Sequence, residues 1–159
     1  MSVYILERTQ VIPRPLEAVF PFFADAQNLE SITPPWLHFR ILTPLPIKMT
    51  EGARIEYRIR WRGVPWHWLT EITAWEPPHR FVDEQLRGPY SLWRHEHIFQ
   101  QVGGETHMTD RVQYALRWGP VGKLAHALVV RRDLESIFDY RRAVVSQAFG
   151  RQAADRLNA

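Results

Sequence analysis

Cysteine is absent from this 159-residue chain, which excludes disulfide bonds and thiolate metal ligands. No apolar run approaches the roughly 20 residues that a membrane-spanning helix needs, so stable membrane insertion is not expected. The first ten residues, MSVYILERTQ, lack the basic start and apolar core of a signal peptide. The expected location is therefore the cytoplasm. The length suits one domain with its own core, predicted over residues 1–159.

The positive charge is modest and dispersed. The net charge is +3, and arginines occur in two separate stretches, near 54–62 and near 131–142. A nucleic-acid-binding protein usually concentrates such charge on one face, so no nucleic-acid partner is expected. The arginines are interpreted as the solvated faces of a strand and a helix, although weak attraction to an acidic partner stays open.

Hydrophobic periodicity and proline positions predict an α+β fold. The order is one strand, two short helices, six strands and one long helix. A twisted antiparallel sheet with one apolar face must be covered, and the long helix is the only large element available. The predicted strands cover 4–12, 36–42, 54–61, 66–75, 81–86, 91–100 and 106–117; the helices start at Pro15, near 28–32 and at 119, the last running to about 150.

The strand over 54–61 alternates cleanly, with apolar and aromatic residues at every second position. Such alternation is typical of a half-buried strand. A four-residue loop over 62–65 is predicted to pair Trp61 with Trp66 and Ile59 with Trp68. Both strands then direct their bulky side chains to the same face.

A second hairpin is predicted at the turn Gly103-Gly104. Its register places His97 opposite Asp110, and it also pairs Phe99 with Met108, His95 with Val112 and Trp93 with Tyr114. The inner surface should then be aromatic and apolar, with one acid–histidine pair. Opposed side chains at this spacing are within hydrogen-bonding reach.

The His97–Asp110 pair allows several interpretations. The two side chains could only satisfy each other, which a buried carboxylate requires. They could also orient the polar group of a ligand, or transfer a proton. His95, His97 and Asp110 further resemble a two-histidine, one-carboxylate iron site, but no additional ligand is evident, and no cofactor is expected.

Seven tryptophans are many for 159 residues. Four of them, at 61, 66, 68 and 93, fall on the predicted inner face, where they could be plain core or line a flat apolar ligand. Trp36, Trp75 and Trp118 lie near element ends and are predicted to be packing plugs.

Three long segments carry a family resemblance: PLEAVFPFFADAQNLESITPPWLHFRIL, TEITAWEPPHRFVDEQLRGPYSLWRHEHIF and MTDRVQYALRWGP. The chain resembles bacterial ligand-binding members of the START/birch-pollen-allergen superfamily, also called SRPBCC or polyketide cyclase/dehydrase-like. The resemblance implies the helix-grip fold, a curved seven-stranded antiparallel sheet around a long C-terminal helix over a deep cavity. Members include lipid carriers, metabolite binders and aromatase/cyclases, and no catalytic motif matches residue by residue.

The leading prediction is binding of a small hydrophobic ligand in an internal cavity, with transport of that ligand as a further role. The ligand is a lipid, a sterol-like molecule, or an aromatic or polyketide compound, and the protein is a monomer or homodimer. One alternative is a cyclase/dehydratase-type enzyme that uses His97 and Asp110 as acid and base. Another is a protein-interaction module whose cavity is filled. The predicted ligand-binding residues are Tyr57, Ile59, Trp61, Trp66, Trp68, Trp93, His95, His97, Asp110, Val112, Tyr114, Leu124 and Leu128.

Overall fold

The structure, a computed structural model, describes residues 1–157 of the backbone and the side chains of residues 1–150. Within this described part, seven strands and three α-helices follow one another. Two short 3₁₀ turns, Ala26–Leu29 and Pro35–Leu37, follow the first helix. The elements are β1 (Val3–Ile12), α1 (Leu16–Phe23), β2 (Arg40–Ile41), β3 (Arg54–Trp61), β4 (Val64–Glu76), β5 (Arg80–Arg87), β6 (Leu92–Val102), β7 (Glu105–Ala115), α2 (Gly119–Ala125) and α3 (Arg131–Leu157).

All seven strands form one antiparallel sheet in the order β1-β7-β6-β5-β4-β3-β2. A π-helical turn, His126–Val130, joins α2 to α3, so that one long helical segment begins at Gly119. The predicted α+β helix-grip architecture is therefore confirmed. Among the described residues, no helix is long and apolar enough to cross a membrane.

The region before β3 differs from the prediction. The strand expected over 36–42 is reduced to Arg40–Ile41, because Pro35–Leu37 forms a 3₁₀ turn and His38 adopts a left-handed conformation with φ of 47°. The short helix expected near 28–32 is a 3₁₀ turn that starts two residues earlier. Local turn geometry overrides the apolar pattern in both places.

The β6–β7 register is confirmed, whereas the predicted β3–β4 register is wrong by two residues. Tyr57 pairs with Trp68, and Ile59 pairs with Trp66. The loop has two residues rather than four, because Arg62 and Gly63 both take positive φ, 48° and 80°, as a type I′ turn requires. A shift by two keeps every side chain on its predicted face, since the strand period is two.

Gly63 should therefore be sensitive to substitution for conformational reasons alone. A Cβ at this position meets nothing within 4 Å, but a left-handed φ costs a non-glycine residue about 1–2 kcal/mol. We expect Gly63→Ala to lower the free energy of unfolding by that amount in urea denaturation. Gly104→Ala is the matched control, since Gly104 also has open space but no positive φ. Equal effects of the two substitutions would contradict this account of the turn.

The interior divides into two parts. At one end, α1 and the later part of α3 pack tightly on the sheet through buried residues such as Val19, Phe99 and Val145. At the other end, Leu134 and Phe138 of α3 face the sheet across a more open aromatic region. The candidate functional site lies in this second part.

Candidate functional site

A cavity of about 240 Å³ lies between the sheet and the long helical segment. Apolar and aromatic side chains form most of its wall. Eight of the predicted ligand-binding residues line it. They are Tyr57, Ile59, Trp61, Trp66, Trp68, Trp93, His95 and His97.

Three further predicted residues, Asp110, Val112 and Tyr114, are buried but do not belong to the cavity lining. They lie on β7, next to the lining strand β6. Asp110 supports the lining histidines, as described below. Val112 and Tyr114 contribute to the aromatic and aliphatic packing behind the wall.

The prediction that Leu124 and Leu128 form the helical wall of the cavity is wrong. Their exposed fractions are 60% and 63%. Leu134 of the same helical segment is buried, so Leu124 and Leu128 lie on a different face from it. The helical wall instead includes the apolar side chains of Val130, Leu134, Ile137 and Phe138.

Stacked rings dominate the sheet side of the cavity. Tyr57 stacks on Trp68 with 5.6 Å between ring centroids, and Trp68 meets Trp93 edge-on at 5.2 Å. Among the residues that the structure describes, the indole N–H groups of Trp66 and Trp68 are buried without a hydrogen-bond partner. This part of the wall is thus aromatic, and within the described side chains the indole N–H groups of Trp66 and Trp68 leave two polar atoms there unpaired.

The remaining tryptophans differ from one another. Trp75 packs against Phe20 and Phe81, as predicted for a plug. Trp36 and Trp118 do not fit that prediction, because 55% of Trp36 and 68% of Trp118 is exposed. Trp118 also belongs to the cavity lining, so the cavity reaches the surface near the start of α2.

The hairpin tip is tied to α3 above the cavity. Trp61 donates its indole N–H to Oδ2 of Asp133 at 2.7 Å. Arg62 donates to both oxygens of the same carboxylate, at 2.8 and 2.9 Å. These hydrogen bonds, the one from Arg62 above all, hold the pKa of Asp133 below its usual value. These hydrogen bonds hold the tip of the β3–β4 hairpin against α3.

The predicted acid–histidine pair belongs to a larger group of five residues, here called the polar cluster: Asp83 of β5, His95 and His97 of β6, Asp110 of β7 and Arg141 of α3. Oδ1 of Asp110 lies 2.8 Å from Nε2 of His95 and 3.2 Å from Nδ1 of His97. Oδ2 of Asp83 lies 2.9 Å from Nε2 of His97 and 3.8 Å from Nδ1 of His95. Nη2 of Arg141 is 3.4 Å from Oδ1 of Asp110. All except Asp110 line the cavity.

Opposing effects determine the protonation of the polar cluster. Burial raises the pKa of Asp110, but Arg141 and the histidines outweigh it and hold that pKa well below its usual value. Burial likewise raises the pKa of Asp83, and the hydrogen bond from His97 with the nearby His95 lowers it overall. Burial lowers the pKa of His97, yet its bonds to Asp110 and Asp83 raise it overall. Burial and the charge of His97 lower the pKa of His95.

The polar cluster thus brings together two carboxylates, two imidazoles and one guanidinium that contact one another directly. Pairing of acidic groups with basic groups is how a protein tolerates several buried ionisable side chains. Aromatic rings complete the packing, since His97 stacks on Phe81 at 4.0 Å, and Arg141 lies over the rings of Phe23 and Phe138.

Asp83 and Arg141 escaped the sequence interpretation, although each had a signal. Asp83 is two residues after Phe81, an inward residue of the same strand, so alternation places it on the inner face. Arg141 lies three residues after Phe138 and four before Val145, on the buried stripe of the helix. In both cases the signal is a charged residue at a position where the local period places it on an apolar face.

The sequence profile of a family described as "Polyketide cyclase / dehydrase and lipid transport" matches residues 12–136. Three similar solved structures illustrate the likeness in fold. The Zhui aromatase/cyclase from Streptomyces sp. R1128 is 15% identical, with a TM-score of 0.72 and 96% of each chain covered. A point mutant of Thalictrum flavum norcoclaurine synthase, in complex with a transition-state analogue, is 10% identical, with a TM-score of 0.65 and 92% of this chain and 96% of that chain covered.

The third is a START superfamily protein from Mycobacterium smegmatis. It is 12% identical, with a TM-score of 0.65, and the match covers 91% of this chain and 98% of that one. At such low identities the likeness to these structures concerns the fold alone, because one fold can support many different chemistries. No curated protein matches the sequence significantly.

Proposed function

Because the chain belongs to the polyketide cyclase/dehydrase and lipid transport family, we propose that it binds a compact, largely aromatic small molecule carrying one polar group in the internal cavity. The observation that carries the proposal is the composition of the wall. Aromatic and aliphatic side chains surround an open space, and the polar cluster reaches it at one place. Apolar pockets with a few convergent polar groups are the usual form of small-molecule sites.

The cavity volume limits the ligand. Small-molecule pockets commonly measure about 300–1,000 Å³, and a dry cavity of about 150 Å³ accommodates benzene. The 240 Å³ found here suits a body of about two fused rings. A sterol or a long acyl chain would have to extend through the opening beside Trp118, so the compact aromatic member of the predicted ligand classes is favoured.

The walls also suggest how such a ligand is oriented. Its rings would lie against Tyr57, Trp68 and Trp93, where stacked and edge-on contacts add to the burial of apolar area. Its polar group would face Arg141 or Nδ1 of His95, whose contact to Asp83 is long at 3.8 Å. A hydroxyl or carbonyl oxygen suits these donors better than an ammonium group, because Arg141 is already cationic.

Binding is favoured over proton transfer by His97 for a geometric reason. An acid–base residue needs a nitrogen directed at the substrate, but both ring nitrogens of His97 face carboxylates, Nδ1 towards Asp110 and Nε2 towards Asp83. Binding is also favoured over an interaction module with a filled interior, because the space beside the polar cluster is open.

Titration with 2-naphthol, followed by quenching of tryptophan fluorescence, tests the proposal. The probe combines two fused rings with one hydroxyl group. We expect saturable binding at one site and weaker binding of naphthalene, which lacks the hydroxyl. Native mass spectrometry of protein purified from its own host should also reveal a bound aromatic compound of similar size.

Leu124→Ala and Leu128→Ala serve as controls. Both side chains are exposed on the long helical segment, so these variants should bind 2-naphthol with the affinity of the parent protein. The absence of saturable binding, together with protein that emerges empty from its host, would overturn the proposed function.

A further inference from the structure

The two histidines of the polar cluster present their ring nitrogens in an ordered way. One nitrogen of each ring, Nδ1 of His95 and Nε2 of His97, faces Oδ2 of Asp83, at 3.8 and 2.9 Å. These three atoms lie within 4.8 Å of one another. They come from neighbouring strands β5 and β6, where Asp83 pairs directly with His95. The sheet therefore brings two nitrogens and one carboxylate oxygen to a common point.

The spacing of these atoms suits a small divalent ion. Zinc binds histidine nitrogen and carboxylate oxygen at about 2.0–2.2 Å, which places neighbouring ligand atoms about 3.0–3.5 Å apart. The two separations from Asp83, 2.9 and 3.8 Å, bracket that range. Small rotations of the imidazole rings would close the remaining difference.

The second nitrogen of each ring lies within hydrogen-bonding distance of a different carboxylate, that of Asp110. Oδ1 of Asp110 lies 2.8 Å from Nε2 of His95 and 3.2 Å from Nδ1 of His97. If Asp110 accepts an N–H from both rings, the lone pairs of both rings are directed at Asp83. A histidine that ligates a metal usually donates its other N–H to a carboxylate in this way.

The guanidinium of Arg141 makes its direct ion pair with Asp110. Nη2 of Arg141 lies 3.4 Å from both Oδ1 of Asp110 and Nδ1 of His97, so it places a positive charge beside the carboxylate of Asp110. The charge of Arg141 also lowers the pKa of Asp83, but within the described part of the chain the direct contacts of this carboxylate are those to the histidines and a long one of 3.4 Å from the Thr70 hydroxyl to its Oδ1. A buried carboxylate in this position needs a positive partner, which is either a proton on a histidine or a metal ion.

We propose that Asp83, His95 and His97 form a site for one divalent transition-metal ion of the zinc or iron(II) type, and that Asp110 orients both histidines from behind. Two histidines and one carboxylate form a set that leaves coordination positions open, and all three residues line the cavity. The open positions would face the space where a ligand is proposed. The site differs from the set of His95, His97 and Asp110 suggested by the sequence, because Asp110 lies on the far side of the rings.

Metal binding by tag-free protein tests this inference without any organic ligand. Isothermal titration with Zn²⁺, against a weak competing chelator, should give one equivalent bound. Asp110→Asn should weaken binding by about 10–100-fold, as expected for loss of an outer partner, and Asp83→Asn should weaken it further. With Co²⁺, the parent protein should develop visible absorption that Asp83→Asn lacks.

His67→Gln is the matched control. His67 is exposed beside Glu56, at 3.8 Å, and could collect metal ions adventitiously, so its replacement should leave the affinity unchanged. Nitrogen-15 NMR of the histidine rings gives a second measurement, with Nδ1 of His95 and Nε2 of His97 ligated in the zinc-bound form. Circular dichroism verifies that each variant is folded.

Two outcomes would overturn the site: folded parent protein that binds neither Zn²⁺ nor Co²⁺, or binding that survives Asp83→Asn but disappears with His67→Gln. Neither outcome depends on 2-naphthol, so failure of the metal site and failure of the proposed ligand function can be distinguished.

Discussion

Replacement of Asp110 by alanine is expected to lower the free energy of unfolding by about 3–5 kcal/mol, the range for removing one partner of a buried ion pair. Asp110 is buried and lies between His95, His97 and Arg141. Without it, the guanidinium of Arg141 loses its nearest carboxylate while it remains packed against aromatic rings. Urea denaturation in the presence of a chelator, which removes any contribution of bound metal, measures the effect.

Asp139→Ala is the matched control for that prediction. Asp139 also pairs with an arginine, Arg8, at 3.6 Å, but 70% of its side chain is exposed. Exposed pairs contribute about 0–1 kcal/mol, so this variant should be nearly as stable as the parent. An effect of Asp110→Ala no larger than that of Asp139→Ala would contradict the role of the polar cluster.

A double variant separates the cause. If the cost of Asp110→Ala arises from the uncompensated guanidinium, adding Arg141→Met should restore part of the lost stability, because removal of both charges is far less costly than removal of one. The double-mutant cycle then gives a non-additive result, as expected for groups in contact.

The largest effect on binding is expected from Ile59→Trp, which should abolish the binding of 2-naphthol. Ile59 lies on β3 and its side chain lines the cavity, so the larger indole would occupy the volume proposed for the ligand. Since the space is open, the stability of the variant should change little. Fluorescence titration and urea denaturation of the same sample measure both quantities.

Two comparisons show whether the indole acts by filling the cavity. Ile5→Trp is the same change on an exposed position of β1 and should leave both binding and stability unchanged. Val145→Phe enlarges a fully buried residue in the tightly packed part of the interior, where overpacking costs about 1–3 kcal/mol. If Ile59→Trp were as destabilising as Val145→Phe, or still bound 2-naphthol, the cavity proposal would be wrong.

Much of the sheet could be predicted because strand alternation and turn chemistry are local properties. The Gly103-Gly104 turn led to the correct pairing of His97 with Asp110. The length of the Arg62-Gly63 turn could not be predicted, since a non-glycine residue with positive φ has no reliable sequence signal. The inward faces of β3 and β4 are nevertheless correct, because the register differs by two residues. The family resemblance and the helix-grip fold are likewise confirmed.

The candidate site was predicted less completely. The alternation of β3, β4 and β6 predicts its aromatic wall, but the apolar pattern over 119–150 does not predict the helical wall, because that pattern does not separate exposed from buried leucines. Leu124 and Leu128 belong to a different face from Leu134 and Phe138.

The sequence by itself determined which side chains of β3, β4, β6 and β7 face inward, since alternation along a strand has a period of two. Only the tertiary structure decided that Asp83, from β5, and Arg141, from α3, join His95, His97 and Asp110. Their meeting depends on which strands are neighbours and on how the long helix rotates over the sheet. Both are set by contacts between residues far apart in the chain, which no local pattern records.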